Sequence, residues 1–524
     1  MLRSLLALAA LAVVFAIPVS AQPVACADGA AGEYECDRVD LLAHFTPQEL
    51  GAPPVGQCPN PYPGLCANDI WGWEDAETGR RYAIVGLATG TAFVDVTTPS
   101  APIRLGFLPT ATDPSSWRDV KALGNVALVV SEAANHGIQV FDLTRLRGLS
   151  EDPARQFAAD ARYTGVGSAH NVVVDESAGM AYAVGSRSGT VPLPGSCSAR
   201  GLHAVDFSDP LAPTFAGCFN DAISGVDSGY THDAQCVTYD GPDADYAGRR
   251  VCFASNTDEV SIFDATDPGA AALISQVRYP TPAYTHQGWL TEDGRYFLVN
   301  DELDEANAVN GGDTTPQRTL VLDVEDLDAP EFAFVYRSGL ATIDHNLYVV
   351  GDLAFESNYE AGLRVIDLSR IDEGVLEEVA FFDTYPLDTS VNFAGQWSNY
   401  PFFGGGLVVA NDGETGFFVL QVDASLSTAT SGRPGADGVD LSEPVPNPTA
   451  GGARLALRVD QAQAVRADLF DVAGRRVAAV YEGPAGPEAE VVLAVSGDGL
   501  PAGVYVVRVV GETFEASRRV VLTR

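Results

Sequence analysis

The sequence contains a single lysine, Lys121, in 524 residues. Nearly all its positive charge is arginine, and 31 basic residues face 70 acidic ones for a net charge of −39. A chain so poor in positive charge lacks the basic surface that phosphate backbones require, so nucleic acid is not an expected partner. After the first 21 residues it has no apolar run long enough to span a bilayer, so no transmembrane segment is expected. It has no CxxC pair of the kind zinc sites use. GxSxG, HExxH and P-loop motifs are missing, and no stretch completes a calcium-binding D-x-[DN]-x-[DN]-G…E loop. Serine or cysteine nucleophilic catalysis therefore has no candidate constellation. The 3.6-residue periodicity of a helical solenoid is also lacking.

What is present is turn-rich. With 52 Gly, 32 Pro and 46 % hydrophobic residues, the composition predicts many short strands and an all-β chain of more than one domain. Residues 1–21, MLRSLLALAALAVVFAIPVSA, read as a secretory signal peptide: Arg3, an apolar stretch, and a small-residue cleavage site before Gln22. All eight cysteines follow it, and an even count in an exported chain favours disulfides. Nearest-neighbour pairing gives Cys26–Cys36, Cys58–Cys66, Cys197–Cys218 and Cys236–Cys252, the first two stapling a loop-rich segment over 22–66.

An apolar strand ending in Asp recurs at Asp95, Asp142, Asp206, Asp264, Asp323 and Asp367, with Gln421 in the matching place of a seventh copy. Spacings of 44 to 64 residues suit four short strands plus loops, one blade of a β-propeller. The predicted fold is all-β: a seven-bladed β-propeller over 67–423, then a small β-sandwich over 441–524. The fourth repeat reads as strands A to D near 232–239, 251–256, 260–265 and 272–279. The seventh lacks its outer strand, and Val39–Phe45 is predicted to supply it, closing the ring and hiding the sheet edges. Residues 424–440, rich in Ser, Thr, Gly and Pro, read as a flexible linker. The tail differs in charge: it holds nine of the 31 basic and ten of the 70 acidic residues, which leaves 22 and 60 for the first 440.

The repeat also places chemistry. A blade's chain runs up and down four times, so the starts of the inner A strands share one face with the B–C corners. His170, His232, His286 and His345 hold one equivalent position at the start of strand A. Trp117 with Asp119, Trp71 and Trp397 occupy the corresponding strands of other repeats, and Trp289 lies on the fifth. Glu132, Arg187, Asn256 with Asp258 and Glu259, Asp301-Glu302 with Asp304-Glu305, Asn358 with Glu360, and Asn411-Asp412 with Glu414 sit at B–C corners. Convergent polar groups in an aromatic-lined mouth are the signature of a binding site. Trp71, Trp117, Asp119, Trp289, Trp397, Asp301, Glu302 and Asn358 are thus the ligand-binding candidates. The four histidines are the metal candidates, for Zn or Cu, with calcium on the carboxylates as another possibility. The bland alternative is that each His bonds backbone across neighbouring blades. The Asp closing each C strand reads as a turn cap.

SAHNVVVDESAGMAYAVGS, GLHAVDFSDPLAPTFAGC, YTHDAQCVTYDGPD, AYTHQGWLTEDGRYFLVNDELDE, DHNLYVVGD and QWSNYPFF occur in order. Over residues 38–423 the chain resembles the choice-of-anchor B family of secreted proteins, which is related to LVIVD-repeat propellers. The resemblance implies an exported body joined to an anchoring or sorting module, and no known substrate. The tail, through EPVPNPTAGG, ADLFDVAGRRV, LPAGVYVVRV and SRRVVLTR, resembles a type IX secretion sorting domain. That implies the type IX machinery as a partner, passage across the outer membrane, and a surface or extracellular location. The functional expectation is a binding or interaction protein of unknown extracellular ligand. The alternative is a metal-dependent hydrolase or oxidase using the His ring.

Overall fold

The structure is a computed structural model. It describes residues 23–522 except 55, 60–63, 153, 190–199, 221–228, 312–315, 388–389, 430–438, 443–448, 450–451, 460, 472–475, 488–490, 498–499, 501–502 and 512–513. The expected signal-peptide residues, Cys197 and most of the expected linker fall outside them.

The chain is nearly all β, and residues 30–422 form six four-stranded antiparallel sheets, one six-stranded sheet and a two-stranded ribbon of Val166–Ser168 with Arg187–Ser188. Small clusters of Val, Ile, Ala and Phe alternate with Gly- and Asp-rich corners, which suits strands buried on both faces. The inner strands are Ala67–Asp75, Arg118–Leu123, Asn171–Asp175, Asp233–Thr238, Thr285–Leu290, Leu347–Val350 and Gln396–Tyr400. Each packs against the next, and the last returns to the first. Apolar clusters fill every gap between neighbouring sheets. Val85 and Val419 meet between the first and last, and Phe93 and Phe141 between the first two. This closed ring of sheets around a channel is a β-propeller.

The last sheet is completed from the start of the chain. Val39–Phe45 lies antiparallel to Gly416–Val422, with Val39 opposite Val422 and Phe45 opposite Phe417. The segment before it is more regular than its composition suggests. Tyr34–Asp37 pairs with Glu377–Phe382 and, with Ala30–Ala31, extends the sixth sheet to six strands. Cys26–Cys36 staples that extension, Cys58–Cys66 the approach to the first sheet, and Cys236–Cys252 two paired strands of the fourth. Cys218 is also disulfide-bonded.

The repeated Asp residues have one job in common. Asp95, Asp142, Asp206, Asp264, Asp323 and Asp367 each accept a hydrogen bond from the backbone N–H two residues on, at 2.8–3.0 Å. These are turn caps.

The expected linker begins as a short helix, Ala424–Ala429, instead of loose chain. Asp423 caps its first turn through Ser425 N–H, and Leu426 is buried against the apolar cluster of the last two sheets. Beyond it, Val439–Leu441, Gly452–Val459 and Val491–Ser496 form one sheet. Arg476–Ala485, Gln463–Asp471, Gly503–Val510 and Glu515–Leu522 form another. The two share a core that includes Leu455, Leu457, Leu469, Val507 and Val509. Among the described residues no helix is long and apolar enough to cross a membrane.

Candidate functional site

The equivalent positions of the four histidines bring their rings into a row. Centroids are 4.3 Å apart for His170 and His232, 4.2 Å for His232 and His286, and 4.3 Å for His286 and His345. Trp397, on the seventh inner strand, continues the row 5.0 Å from His345. The row walls a cavity of about 300 Å³ that Trp117, Glu132, Tyr230, Tyr284, Glu302 and Tyr359 also line. Glu132, Tyr230 and Tyr284 are shared with an adjoining cavity of about 210 Å³ that carries Arg187 and Arg200.

Backbone contacts orient the rings. His232 Nδ1 lies 3.1 Å from the His286 carbonyl, and His345 Nδ1 bonds the Trp397 carbonyl. A carbonyl only accepts, so both rings carry the proton on Nδ1 and leave the Nε2 lone pair free. His170 Nδ1 meets Glu132 Oε1 at 2.6 Å. The buried His286 Nδ1 has no hydrogen-bond partner. Cross-blade bonding to backbone and an available lone pair thus coexist in the same rings. Carbonyl-bound Nδ1 with free Nε2 is the arrangement that orients histidines toward metals.

Protonation follows from burial. His232, His286 and His345 are 3, 1 and 3 % exposed. Burial pulls the first two well below the usual imidazole pKa, and neighbouring imidazoles add to the effect. Burial brings His345 down to about 3, against its bond to the Trp397 carbonyl. All three are neutral donors at neutral pH. Burial pushes the Glu302 carboxyl up to about 7, while the Tyr359 hydroxyl, donating to Oε1 at 2.8 Å, works in the opposite direction. Glu302 lies 3.7 Å from His286 Nε2 and 3.8 Å from His345 Nε2. One donor atom from each of these three residues falls within 4.8 Å of the others. A tetrahedral zinc site with bonds near 2.1 Å has donors about 3.4 Å apart, so a small closure would suit it.

The remaining candidates separate by depth. Trp117, Trp397 and Glu302 join the histidines at the mouth. Trp71 and Trp289 lie in a second channel cavity of about 140 Å³, with Lys121, Asp233, Gln235 and Tyr348. Asp119 ties strands together: it accepts from Val172 N–H at 2.6 Å and pairs with Lys121. Asp301 accepts from the backbone of Ala283 and Tyr284 and pairs with Arg318 at 2.6 Å. Asn358 donates to Gln317 and Glu356. Most corner groups are likewise committed within the fold. Glu259 holds Gln276 and Arg278, Glu360 holds Ser390 and Asn392, and Asn411 donates to the Asn68 carbonyl. Of the corner carboxylates singled out above, Glu132 and Glu302 reach the row.

Tyr230, Tyr284 and Tyr359 were not among the expected site residues. The first two had a signal, because Tyr-Thr-His occurs at both 230–232 and 284–286.

No protein-family model matches the chain, and no curated protein matches it. Among solved structures, it is similar to the β-propeller domain of Cps50 (Swd1) from Myceliophteria thermophila. The identity is 12 % and the TM-score 0.40, over 65 % of this chain and 93 % of that one. It is similar to PorZ, an essential surface component of the type IX secretion system of Porphyromonas gingivalis. That match has 14 % identity and a TM-score of 0.41, over 87 % of this chain and 59 % of that one. Kuenenia stuttgartiensis hydrazine synthase matches at 11 % identity and a TM-score of 0.44, over 68 % and 95 % of the two chains. At this distance these likenesses bear on neither ligand nor activity.

Proposed function

We propose that the chain is a secreted or cell-surface binding protein, with its ligand site in the mouth of a seven-bladed propeller. The body is of the choice-of-anchor B type, and the C-terminal β-sandwich is a type IX sorting module. The resemblance motifs, the leader and the tail's separate charge balance support this assignment. The observation that carries the binding role is the cavity of about 300 Å³ walled by four imidazoles and two indoles. Its lining is polar and aromatic together, as binding sites for small ligands are. Trp117 and Trp397 report on it directly. A panel of small polar ligands screened by tryptophan fluorescence should yield a saturable binder whose Kd rises at least about tenfold in Trp397→Ala. If every saturable binder is indifferent to both Trp397→Ala and His232→Ala, the ligand site is not the mouth.

A second reading rests on the donors of His286, Glu302 and His345. Two neutral imidazoles and a carboxylate suit a transition metal of the zinc class, with His232 Nε2 at hand as a further donor. Tyr359 would steady the carboxylate from behind. Such an ion would supply Lewis acidity or an activated water to a metal-dependent enzyme. Protein purified without a histidine tag should then carry about one transition-metal ion per chain, lost in His286→Ala with His345→Ala. A metal content near zero, or one unchanged in that variant, would end this reading.

A further inference from the structure

Directly behind the mouth lies a group of polar side chains that the proposed function does not use. Asn300 and Asp301 end the second strand of the fifth sheet, Tyr296–Asp301, and Glu302 leads into the helix Asp304–Gly311. Asp344 immediately precedes His345. Glu305 and Asp344 are each 1 % exposed, and Asn300 is fully buried. None of their six side-chain oxygen and nitrogen atoms has a hydrogen-bond partner. Burying one such group unbonded costs about 1–3 kcal/mol, so a folded protein rarely leaves three together. They are also neighbours. Asp344 is the charge acting most strongly on Glu305, and the Asn300 side chain lies against the Asp344 carboxyl. Arg318 does not answer them, because it pairs with Asp301 and Asp304.

We propose that Glu305, Asp344 and the Asn300 amide oxygen hold a buried divalent cation of the hard, oxygen-preferring class, with calcium as its type. Two carboxylates balance a 2+ charge, and the donors are all oxygen. Calcium takes six to eight oxygens in irregular geometry, whereas magnesium demands near-octahedral geometry with several waters, and zinc favours nitrogen and sulfur. The amide is an independent pointer: a buried Asn with neither end within ordinary hydrogen-bond distance of a partner is directed at the Asp344 carboxyl. The ion would tie the Asn300–Glu305 corner of the fifth sheet to the start of the sixth. Glu302 and His345, which face each other across the mouth, lie within that clamp. Its role is to fix the distance between them. This clamp does not depend on a metal in the mouth.

The test is calcium alone, on the full chain. Wild type is stripped with chelator, dialysed into calcium, and measured for bound ion and thermal melting. One tightly held calcium per chain above the weak background of the acidic surface is expected, with a saturable rise in melting temperature. In Glu305→Gln with Asp344→Asn, affinity should fall at least about 100-fold and the melting shift should vanish. Wild type that retains no calcium after this dialysis overturns the proposal, since the carboxyls are then simply protonated. So does calcium binding of equal affinity in the variant. Should the variant fail to fold, the wild-type stoichiometry and melting shift decide alone.

Discussion

A chain that starts at Pro47 is expected to give no soluble, cooperatively melting protein. The strand Val39–Phe45 is the fourth strand of the last sheet, although it lies some 370 residues before its partner. Val39, Leu41 and Ala43 are buried between the last sheet and its neighbours. Their loss uncovers Phe418 and Leu420 and leaves Gly416–Val422 as a bare edge open to pairing with other chains. Each large buried side chain contributes roughly 2 kcal/mol and each backbone bond about 1 kcal/mol. Together they amount to much of a domain's total stability of about 5–15 kcal/mol. Leu41→Ala alone should cost about 2–4 kcal/mol in denaturant unfolding, as a buried leucine truncation does. A truncated chain that melts as sharply as wild type, and within a few degrees of it, would show that the ring does not need this strand.

The second large effect concerns the only lysine. Lys121 Nζ sits 2.9 Å from Asp69 Oδ2, bonds Asp119, and stands 4.8 Å above the Trp71 ring. Burial works to discharge it, but Asp119 and Asp69 outweigh burial and hold its pKa well above the usual lysine value. It is therefore a fixed cation and not a nucleophile. Its partners clip neighbouring inner strands: Asp69 accepts from Val120 N–H at 3.1 Å, and Asp119 from Val172 N–H. Lys121→Met leaves the Asp69–Asp119 pair, in which burial and the neighbouring Asp69 hold Asp119 well above the usual carboxylate range, buried without its counter-charge. The expected loss is about 3–5 kcal/mol. Combining it with Asp69→Asn and Asp119→Asn should restore most of that stability, because the charge is removed as a set. A single Lys121→Met costing under about 1 kcal/mol would mean the carboxylates find other compensation.

The repeat was legible because its cause is local. An Asp that caps a turn two residues on must follow each third strand, so Asp95 through Asp367 mark the sheets by spacing alone. The seventh copy's missing outer strand pointed to Val39–Phe45, since residues 38–47 had no other place. What escaped depended on contacts that spacing does not encode. The helix after Asp423 exists because Leu426 finds an apolar seat, and the extension of the sixth sheet exists because Cys36 lies opposite Phe382. The site was half legible for the same reason. Period assigns a residue to an inner strand but does not give its depth in the channel. Trp71 and Trp289 therefore separate from Trp117 and Trp397 only in three dimensions. Corner position likewise does not reveal that Asp301 or Asn358 is already spent on its own sheet. Glu305 and Asp344 come from different sheets, and no linear motif joins them.

The central claim is that the row of four imidazoles forms a binding wall, in which His232 and His345 turn Nδ1 to backbone carbonyls and keep Nε2 free. Selective ¹⁵N labelling of the seven histidines, read by NMR before and after zinc is added, tests it most directly. The predicted spectrum shows His232 and His345 as Nδ1–H tautomers at neutral pH. Zinc should then shift Nε2 of His286 and His345 first, leaving His44, His136 and His203 unmoved. Nε2–H tautomers at the row, or zinc that perturbs those three outlying histidines equally, would contradict the account.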